Sequence, residues 1–174
     1  GGGGLQFLIK NDGGGREKIW IPAGGSRKPL SRHSFEFDDC GDGIFRRDID
    51  LSMNGLEVFN FAVNEVPKLI SEMLIALNLT PDDVDLLALH QANALIVDQV
   101  AKRSCFPREK APFTSSRIGN TGSPSVPVLI SGLNSSRDYY GNFQRTLLCG
   151  FGVGLSWGAC LADLSQSVLI AGEV

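Results

Sequence analysis

Two polar residues at the ends of distinctive segments are the best candidates for chemistry. His90 directly follows the apolar run Leu86-Leu87-Ala88-Leu89, and small and amide residues come after it. Asn120 lies further along, in the glycine-bounded segment Gly119-Asn120-Thr121-Gly122-Ser123. A neutral imidazole can donate a hydrogen bond or take a proton near neutral pH, and a neighbouring amide N–H can hold an oxygen that becomes negative. Together the two side chains predict a site for a developing oxyanion.

Each candidate also has an ordinary structural explanation. A histidine can close a buried strand with its ring satisfied in the core, and asparagine is common in turns because it tolerates positive φ. The glycines of Gly152-Val153-Gly154 can expose a backbone N–H to the same oxygen, but they suit a tight hairpin equally well. His33, beside Arg32 in a polar loop, is expected to be solvated. These alternatives stay open at the level of single residues.

Composition and spacing exclude several other function classes. The 174 residues carry a net charge of −3, whereas a dedicated nucleic-acid binder needs a basic face. No apolar run is long enough to span a membrane. The glycine clusters match neither the P-loop nor the dinucleotide fingerprint, and no serine lies in a nucleophile elbow. Asp38, Asp39 and Asp42 could bind calcium, although an acidic surface loop explains them better.

The cysteines give no sign of a metal site or of a nucleophile. They lack the clustered spacing of zinc ligands, and none stands on a small-residue turn that leads into a helix. Their positions favour free thiols in a reducing compartment, so we expect a cytoplasmic protein. The four are Cys40, Cys105, Cys149 and Cys160.

The elements that must position these residues alternate between strands and helices. Apolar residues recur at helical spacing from Leu56 to Leu77, with Pro67 predicting a kink, and further helices are predicted over 92–104 and 125–133. The predicted strands are 5–9, 19–21, 84–89, 111–115, 145–149 and 155–164, with a short addition at 168–170. This order indicates an α/β fold whose mixed five-stranded sheet is covered by helices and ends in a C-terminal β-hairpin.

The predicted domain organisation is simple. Residues 1–4 are interpreted as a linker or a scar, because four consecutive glycines carry no fold information. Residues 5–164 are predicted to form one domain, with an irregular excursion over 22–50, and residues 165–174 to form an extension.

Several short motifs occur together in a recognisable order. They are His90-Gln91-Ala92-Asn93, Gly119-Asn120-Thr121 with Ser125-Val126-Pro127, Phe151-Gly152-Val153-Gly154 with Trp157-Gly158, and Met53-Asn54-Gly55 before Glu57-Val58-Phe59. In combination they resemble β-ketoacyl-acyl-carrier-protein synthase III over roughly residues 5 to 164. The resemblance implies the C-terminal half of a thiolase-like fold, in which a full chain holds two similar α/β halves.

The resemblance also implies an activity. The family condenses an acyl thioester with a malonyl-carrier protein, with loss of carbon dioxide, in fatty-acid biosynthesis and uses a Cys-His-Asn triad. His90 and Asn120 match the His and the Asn and would hold the malonyl thioester carbonyl. The nucleophilic cysteine would lie in the missing N-terminal half. Gly152, Val153 and Gly154 match an oxyanion loop that uses the backbone N–H of Val153.

Substrate and partner positions follow from the same resemblance. Phe59 and Asn93 match positions near the pantetheine tunnel, and Lys102 and Arg103 keep a basic pair for carrier-protein docking. The implied partners are the N-terminal half, acyl-coenzyme A, acyl carrier protein and a second copy in a homodimer, with no nucleic acid and no membrane. No metal and no resident cofactor is implied, because coenzyme A and phosphopantetheine thioesters act as substrates.

Two alternatives to this enzyme remain open. Asn60 and Leu95 stand where the family often has basic residues, which leaves room for a related acyltransferase of secondary metabolism. The chain could also be a non-catalytic partner subunit that binds an acyl chain or a carrier. The presence of both His90 and Asn120 favours the enzyme.

Overall fold

In the described residues, five short strands precede the first α-helix, and the remaining strands are interspersed with two further α-helices. The computed structural model describes residues 5–41, 43–135 and 143–167. The strands in these residues are β1 (Gln6–Asn11), β2 (Ile19–Trp20), β3 (Asp38–Asp39), β4 (Phe45–Arg46), β5 (Ser52–Met53), β6 (Leu86–Leu89), β7 (Thr146–Gly152) and β8 (Ser156–Ala162). The α-helices are α1 (Gly55–Ala76), α2 (Ala94–Arg103) and α3 (Ser125–Ser135). No helix in the described ranges is both long enough and apolar enough to cross a membrane.

The described chain divides into two compact units. Among the described residues, the first comprises 5–10, 60–135, 143–151 and 157–167, and the second comprises 11–41, 43–59 and 152–156. The predicted domain boundaries stay a prediction. The predicted linker at 1–4, the short strand at 168–170 and all but three residues of the extension at 165–174 lie outside the described residues.

The first unit is built on a mixed sheet with the strand order β1-β8-β7-β6. β6 and β7 run parallel, with Leu86 opposite Thr146 and Leu89 opposite Cys149. All four residues of β6 are buried, as a strand covered on both faces requires. One of these faces packs against α3 in a cluster formed by Leu86, Ala88, Leu129, Ile130, Leu133 and Phe143. The predicted mixed α/β fold is therefore confirmed.

The strand count differs from the prediction, because the main sheet has four strands within the described residues rather than five. The segment 111–115, predicted as a strand, forms no ladder. The side chain of Gln91 engages its backbone instead, accepting from Thr114 N–H at 3.0 Å and donating to the Pro112 carbonyl at 3.4 Å. Pro112 also has no N–H to offer a neighbouring strand. The Gln91 side chain thus occupies backbone groups that a neighbouring strand would otherwise use, so the β-propensity of this segment does not produce a strand.

α1 continues through Pro67, which is buried. A proline inside a helix leaves the carbonyl four residues earlier without its N–H donor. That carbonyl belongs to Val63, and the Arg103 guanidinium on α2 donates to it at 3.0 Å. The same Arg103 nitrogen also donates to Asn64 Oδ1 at 2.7 Å. An arginine from a neighbouring helix thus replaces the hydrogen bond that the proline removes.

α1 and α2 end in the same way. Asn78 after α1 and Cys105 after α2 adopt positive φ, at 53° and 59°. After α2, the Phe106 N–H reaches the Ala101 carbonyl and the Cys105 N–H reaches the Lys102 carbonyl, which is the Schellman pattern. Glycine usually occupies this left-handed position, because a residue with a Cβ, such as Cys105, adopts it only at a cost in conformational free energy.

The second unit holds two small antiparallel ribbons, β2 with β5 and β3 with β4. A backbone pair joins its two chain segments, because Asp12 and Leu155 exchange N–H and carbonyl groups at 2.8 Å in both directions. Gly15 lies against the Leu155 side chain, where a Cβ would come within 2.6 Å of Leu155 Cδ1. Any larger residue at position 15 must displace that side chain.

Candidate active site

His90 lies where β6 ends. Its backbone N–H donates to the Cys149 carbonyl at 2.8 Å, which extends the β6–β7 ladder by one residue and fixes the backbone of the histidine. The half-buried imidazole meets the ring of Phe151 edge-on, with centroids 5.2 Å apart and planes at 84°. The strand and the aromatic ring therefore hold the imidazole at the carboxyl edge of the sheet.

A second contact fixes one side of the imidazole ring. Nδ1 of His90 lies 2.6 Å from the hydroxyl oxygen of Ser125, the first residue of α3. The backbone N–H of Gln91 donates to the same oxygen at 3.3 Å. Ser125 is only 1% exposed, so solvent does not compete for this hydroxyl. With Nδ1 engaged, Nε2 is the ring nitrogen left for a ligand.

The two histidines have opposite electrostatic environments. Burial lowers the pKa of His90 below its ordinary value of 6.5, because the charged imidazolium loses hydration. A hydrogen bond to the Glu36 carboxylate raises the pKa of His33, and a coulombic attraction to Glu36 adds to it. His90 is therefore neutral near pH 7, the state in which one ring nitrogen donates and the other accepts.

Asn120 stands in the exposed turn that precedes α3. Gly119 and Gly122 on either side adopt φ of 75° and 71°, values that glycine takes without strain. The Asn120 side-chain oxygen accepts the Gly122 N–H at 2.9 Å, which leaves the amide NH₂ as a donor without a hydrogen-bond partner in the described part of the chain. Ser125, the serine that contacts His90, follows Asn120 by five residues. A chain segment of this length spans at most about 18 Å. The structure thus places His90 at the beginning of α3 and Asn120 in the turn that leads into this helix.

The other candidates of the first unit lie on α2. Asn93 is the N-cap residue, and its Oδ1 accepts the Ile96 N–H at 2.8 Å, so its amide nitrogen stays available. Lys102 is exposed and borders an open groove of about 640 Å³ that Asp98 and Arg108 also line. Arg103 is exposed as well, but its guanidinium is engaged with α1.

The remaining candidates belong to the second unit. Phe59 lies half-buried near the start of α1. Gly152 is the last residue of β7, Val153 and Gly154 lie in the turn towards β8, and Val153 is 60% exposed. Gly154 adopts φ of 138°, and a Cβ there would come within 2.9 Å of the Ser156 backbone nitrogen, so this position requires glycine. The backbone of the turn is open to approach, as an oxyanion role requires.

None of the four cysteines is suited to act as the nucleophile. Cys149 is fully buried, and burial raises the pKa of its thiol to about 12, so almost no thiolate forms near neutral pH. Burial also raises the pKa of Cys160. Cys40 and Cys105 are exposed, and neither is hydrogen-bonded to His90 in the described ranges. The described residues also contain no group of three or more His, Cys, Asp or Glu that could hold a metal ion.

Two residues that sequence reasoning did not assign to the site support it. Ser125 contacts the imidazole directly, and Gln91 is fully buried with its side chain bound to three backbone groups around the His90 turn. Both lie inside motifs that the sequence displays. The sequence signal for Ser125 is its place in the Ser125-Val126-Pro127 motif at the start of a predicted helix.

Comparison with known proteins gives a consistent result. Residues 74–164 match the family model described as 3-oxoacyl-[acyl-carrier-protein (ACP)] synthase III C terminal. A beta-ketoacyl-[acyl-carrier-protein] synthase III from Acaryochloris marina is 34% identical over 157 residues, which are 90% of this chain and 45% of the relative.

Solved structures agree with the sequence match. A 3-oxoacyl-(acyl-carrier-protein) synthase III crystal structure superposes with a TM-score of 0.83 at 32% identity, covering 91% of this chain and 47% of the other. The enzyme named 3-oxoacyl-(acyl-carrier protein) synthase from Burkholderia xenovorans superposes with a TM-score of 0.79 at 30% identity, covering 98% and 47%. The chain therefore spans about half the length of the relatives it matches.

Proposed function

Because the chain belongs to the family of 3-oxoacyl-[acyl-carrier-protein] synthase III C-terminal domains, we propose that it is the C-terminal half of a decarboxylating condensing enzyme. In this proposal an acyl group is first loaded from coenzyme A onto a cysteine of a second half. A malonyl thioester on a carrier protein then loses carbon dioxide, and its carbanion attacks the acyl-cysteine. The new carbon–carbon bond forms as the cysteine thiolate leaves.

His90 and Asn120 hold the malonyl thioester carbonyl in this mechanism. Decarboxylation moves an electron pair onto the thioester, so its carbonyl oxygen gains enolate charge, and two N–H donors stabilise that charge. The observation that carries the proposal is a neutral imidazole with Nδ1 engaged by Ser125 and Nε2 left for a ligand. The free amide nitrogen of Asn120 supplies the second donor.

Other residues take roles in the same proposal. The Val153 backbone N–H would join the oxyanion hole for the acyl thioester, which its place in an open glycine turn supports. Phe59 and Asn93 would contact the pantetheine arm. Lys102 would contact an acidic carrier protein, because its ammonium is exposed beside an open groove. Arg103 would add positive charge there while it stays bound to α1.

An exposed strand supports the presence of a second half. Leu5 directly precedes β1, and Phe7 and Ile9 follow at alternate positions within the strand. These three residues are 60%, 63% and 69% exposed. Alternate residues of a strand share one face, so these side chains form an apolar stripe on the edge strand of the sheet. Apolar stripes on edge strands promote aggregation unless they are covered. In the proposed enzyme the Cys-bearing half covers this stripe and supplies the nucleophile.

A related condensing enzyme with a different acyl acceptor is the second candidate. Leu95, at the start of α2, is 58% exposed. Leu95 presents an apolar surface at a position where the resemblance to the family predicts a basic side chain. A small or apolar acceptor suits that surface better than an acidic carrier protein does.

The test uses the chain completed with a Cys-bearing N-terminal half. Acetyl-coenzyme A should give a covalent acyl-cysteine in the intact mass, and malonyl-coenzyme A should release carbon dioxide. His90→Ala should lower decarboxylation by roughly 10²–10³-fold, the loss typical of one oxyanion-hole donor, and leave acyl loading intact. His33→Ala is the matched control, because that ring is exposed and bound only to Glu36 in the described residues. Unchanged decarboxylation in His90→Ala would exclude this role for His90.

A further inference from the structure

The hydroxyl of Ser125 lies at the centre of a small set of buried hydrogen bonds. A serine hydroxyl carries one proton and two acceptor lone pairs. The Gln91 backbone N–H occupies one lone pair at 3.3 Å, and His90 Nδ1 lies 2.6 Å away. The protonation of Nδ1 therefore decides where the hydroxyl proton can go.

Only one placement of the protons gives a hydrogen-bond partner to each group that meets at the Ser125 hydroxyl. If Nδ1 carried a proton, the Ser125 oxygen would accept two N–H groups, and its own proton would need a third partner. No such partner contacts Ser125 in the part of the chain that the structure describes, and the residue is 1% exposed. A buried unsatisfied polar group costs about 1–3 kcal/mol. If the hydroxyl donates to an unprotonated Nδ1, the Ser125 hydroxyl, Nδ1 of His90 and the Gln91 N–H are all satisfied, and the Nε2 proton faces the site.

We propose that Ser125 is a positioning residue that holds neutral His90 in the tautomer with its proton on Nε2. The imidazole then presents a fixed N–H donor, and Nε2 cannot act as a base. This consequence rests on the proposed function, because it assigns His90 to stabilising the enolate oxygen rather than to removing a proton. The tautomer itself depends only on the contacts of the chain.

The tautomer can be read directly from the ring nitrogens. The chain has two histidines, so ¹⁵N spectra of histidine-labelled protein at about pH 8, above the ordinary histidine pKa, contain two rings. His90 should show an unprotonated, hydrogen-bonded Nδ1 and a protonated Nε2. Ser125→Ala should shift the His90 Nδ1 signal and leave the exposed His33 ring as it was.

Two further variants complete this experiment. Ser125→Thr keeps the hydroxyl and should restore the Nδ1 signal, whereas Ser123→Ala removes an exposed serine two positions earlier and should change nothing. A proton on Nδ1 in the unaltered chain overturns the inference. So do ring signals that do not respond to Ser125→Ala in a protein that remains folded by circular dichroism.

Activity separates this inference from the proposed function. In the completed enzyme, Ser125→Ala should slow malonyl decarboxylation roughly tenfold, less than His90→Ala does, and leave acyl loading unchanged. A decarboxylation rate equal to that of the unaltered enzyme contradicts the positioning role. If the unaltered completed protein releases no carbon dioxide while the spectra show the Nε2 proton, the proposed function fails and the tautomer stands.

Discussion

The fixed orientation and the neutral state of the His90 imidazole come from contacts with residues that are distant in the sequence. The backbone N–H of His90 donates to Cys149, its ring packs perpendicular to the ring of Phe151, and its Nδ1 contacts Ser125. These contacts come from β7, from the end of β7 and from the start of α3. The same burial that keeps the ring neutral also makes its hydrogen bonds stronger, because water does not compete for them. His33, by contrast, is exposed, and its Nδ1 contacts the Glu36 carboxylate at 2.9 Å.

The two histidines should titrate in opposite directions from 6.5. Burial places the pKa of His90 below that value, and Glu36 places the pKa of His33 above it. Nuclear magnetic resonance titration of the two rings should therefore show His33 protonating first as the pH falls. The reverse order would contradict the burial of His90 and its bond to Ser125.

The same shift predicts how stability depends on pH. The unfolded state binds a proton at His90 near pH 6.5, whereas the folded state resists it until a lower pH. The free energy of unfolding should thus fall as the pH drops from 6.5 towards the folded pKa of His90. In His90→Gln this part of the pH dependence should disappear, as urea unfolding at several pH values will measure. A similar decrease in the variant would show that other groups cause it.

At the scale of elements, helix α2 acts as both a support and a candidate binding surface. Its first residues follow the His90 turn, and Asn93 caps it. Its last turn sends Arg103 to the Val63 carbonyl, which Pro67 leaves without a donor. The helix ends in a Schellman motif with Cys105 in the left-handed position. The Arg103 contact thus joins α2 to α1, whereas the cap and the Schellman motif define where α2 begins and ends.

Arg103 and Pro67 should be energetically coupled. Arg103→Met keeps most of the apolar stem and removes the donor, and it should lower the free energy of unfolding by about 1–2 kcal/mol. In a Pro67→Ala background the new backbone N–H can reach the Val63 carbonyl, so the same change should cost less than half as much. A double-mutant cycle in urea measures this coupling, with Lys102→Met as the neighbouring control. Additive losses would show that Arg103 does not replace the missing helical bond.

Cys105→Gly should stabilise the protein. Glycine adopts positive φ without the Cβ strain that Cys105 bears at 59°, so we expect a gain of about 0.5–1 kcal/mol. Asn78→Gly, at the equivalent position after α1, should gain less because asparagine tolerates this conformation. Urea unfolding midpoints of the two variants test the order. A loss of stability in Cys105→Gly would mean that the thiol makes a compensating contact.

At the scale of the whole molecule, the described residues combine the candidate site around His90 with an exposed apolar stripe on β1. Burial raises the thiol pKa of Cys149 and of the partly buried Cys160, and the exposed Cys40 and Cys105 are not hydrogen-bonded to His90 in the described residues. The chain spans about half of each relative, at 45% and 47% of their lengths. In the proposed enzyme, the exposed stripe of Leu5, Phe7 and Ile9 is the surface against which the Cys-bearing half would pack.

Phe7→Ser should separate the stability of the chain from its association. Since Phe7 is 63% exposed, the substitution should change the free energy of unfolding by less than about 0.5 kcal/mol. It should nevertheless weaken binding to a separately expressed Cys-bearing half by roughly tenfold or more, as calorimetry will measure. Leu30→Ser, an exposed apolar residue of the second unit, is the control. Equal affinities for Phe7→Ser and the unaltered chain would exclude the stripe from the interface.

Much of the architecture could be predicted because it depends on local patterns. The helical spacing from Leu56 onwards, the apolar run before His90 and the glycine turns are short-range signals, and the structure contains α1, β6 and the β7–β8 hairpin at these places. The mixed α/β fold and the family were confirmed. The strand predicted at 111–115 was wrong, because Gln91 takes its backbone hydrogen bonds from a distant point in the sequence.

The sequence by itself therefore determined the kinds of elements, the position of His90 at a strand end and the turn that carries Asn120. Only the tertiary structure decided which groups meet: Ser125 with His90 across 35 residues, and Arg103 with the Val63 carbonyl across 40. The physical reason is that propensity and periodicity act over a few residues. A hydrogen-bond partner for a buried ring or an orphaned carbonyl is chosen by how helices and strands pack together.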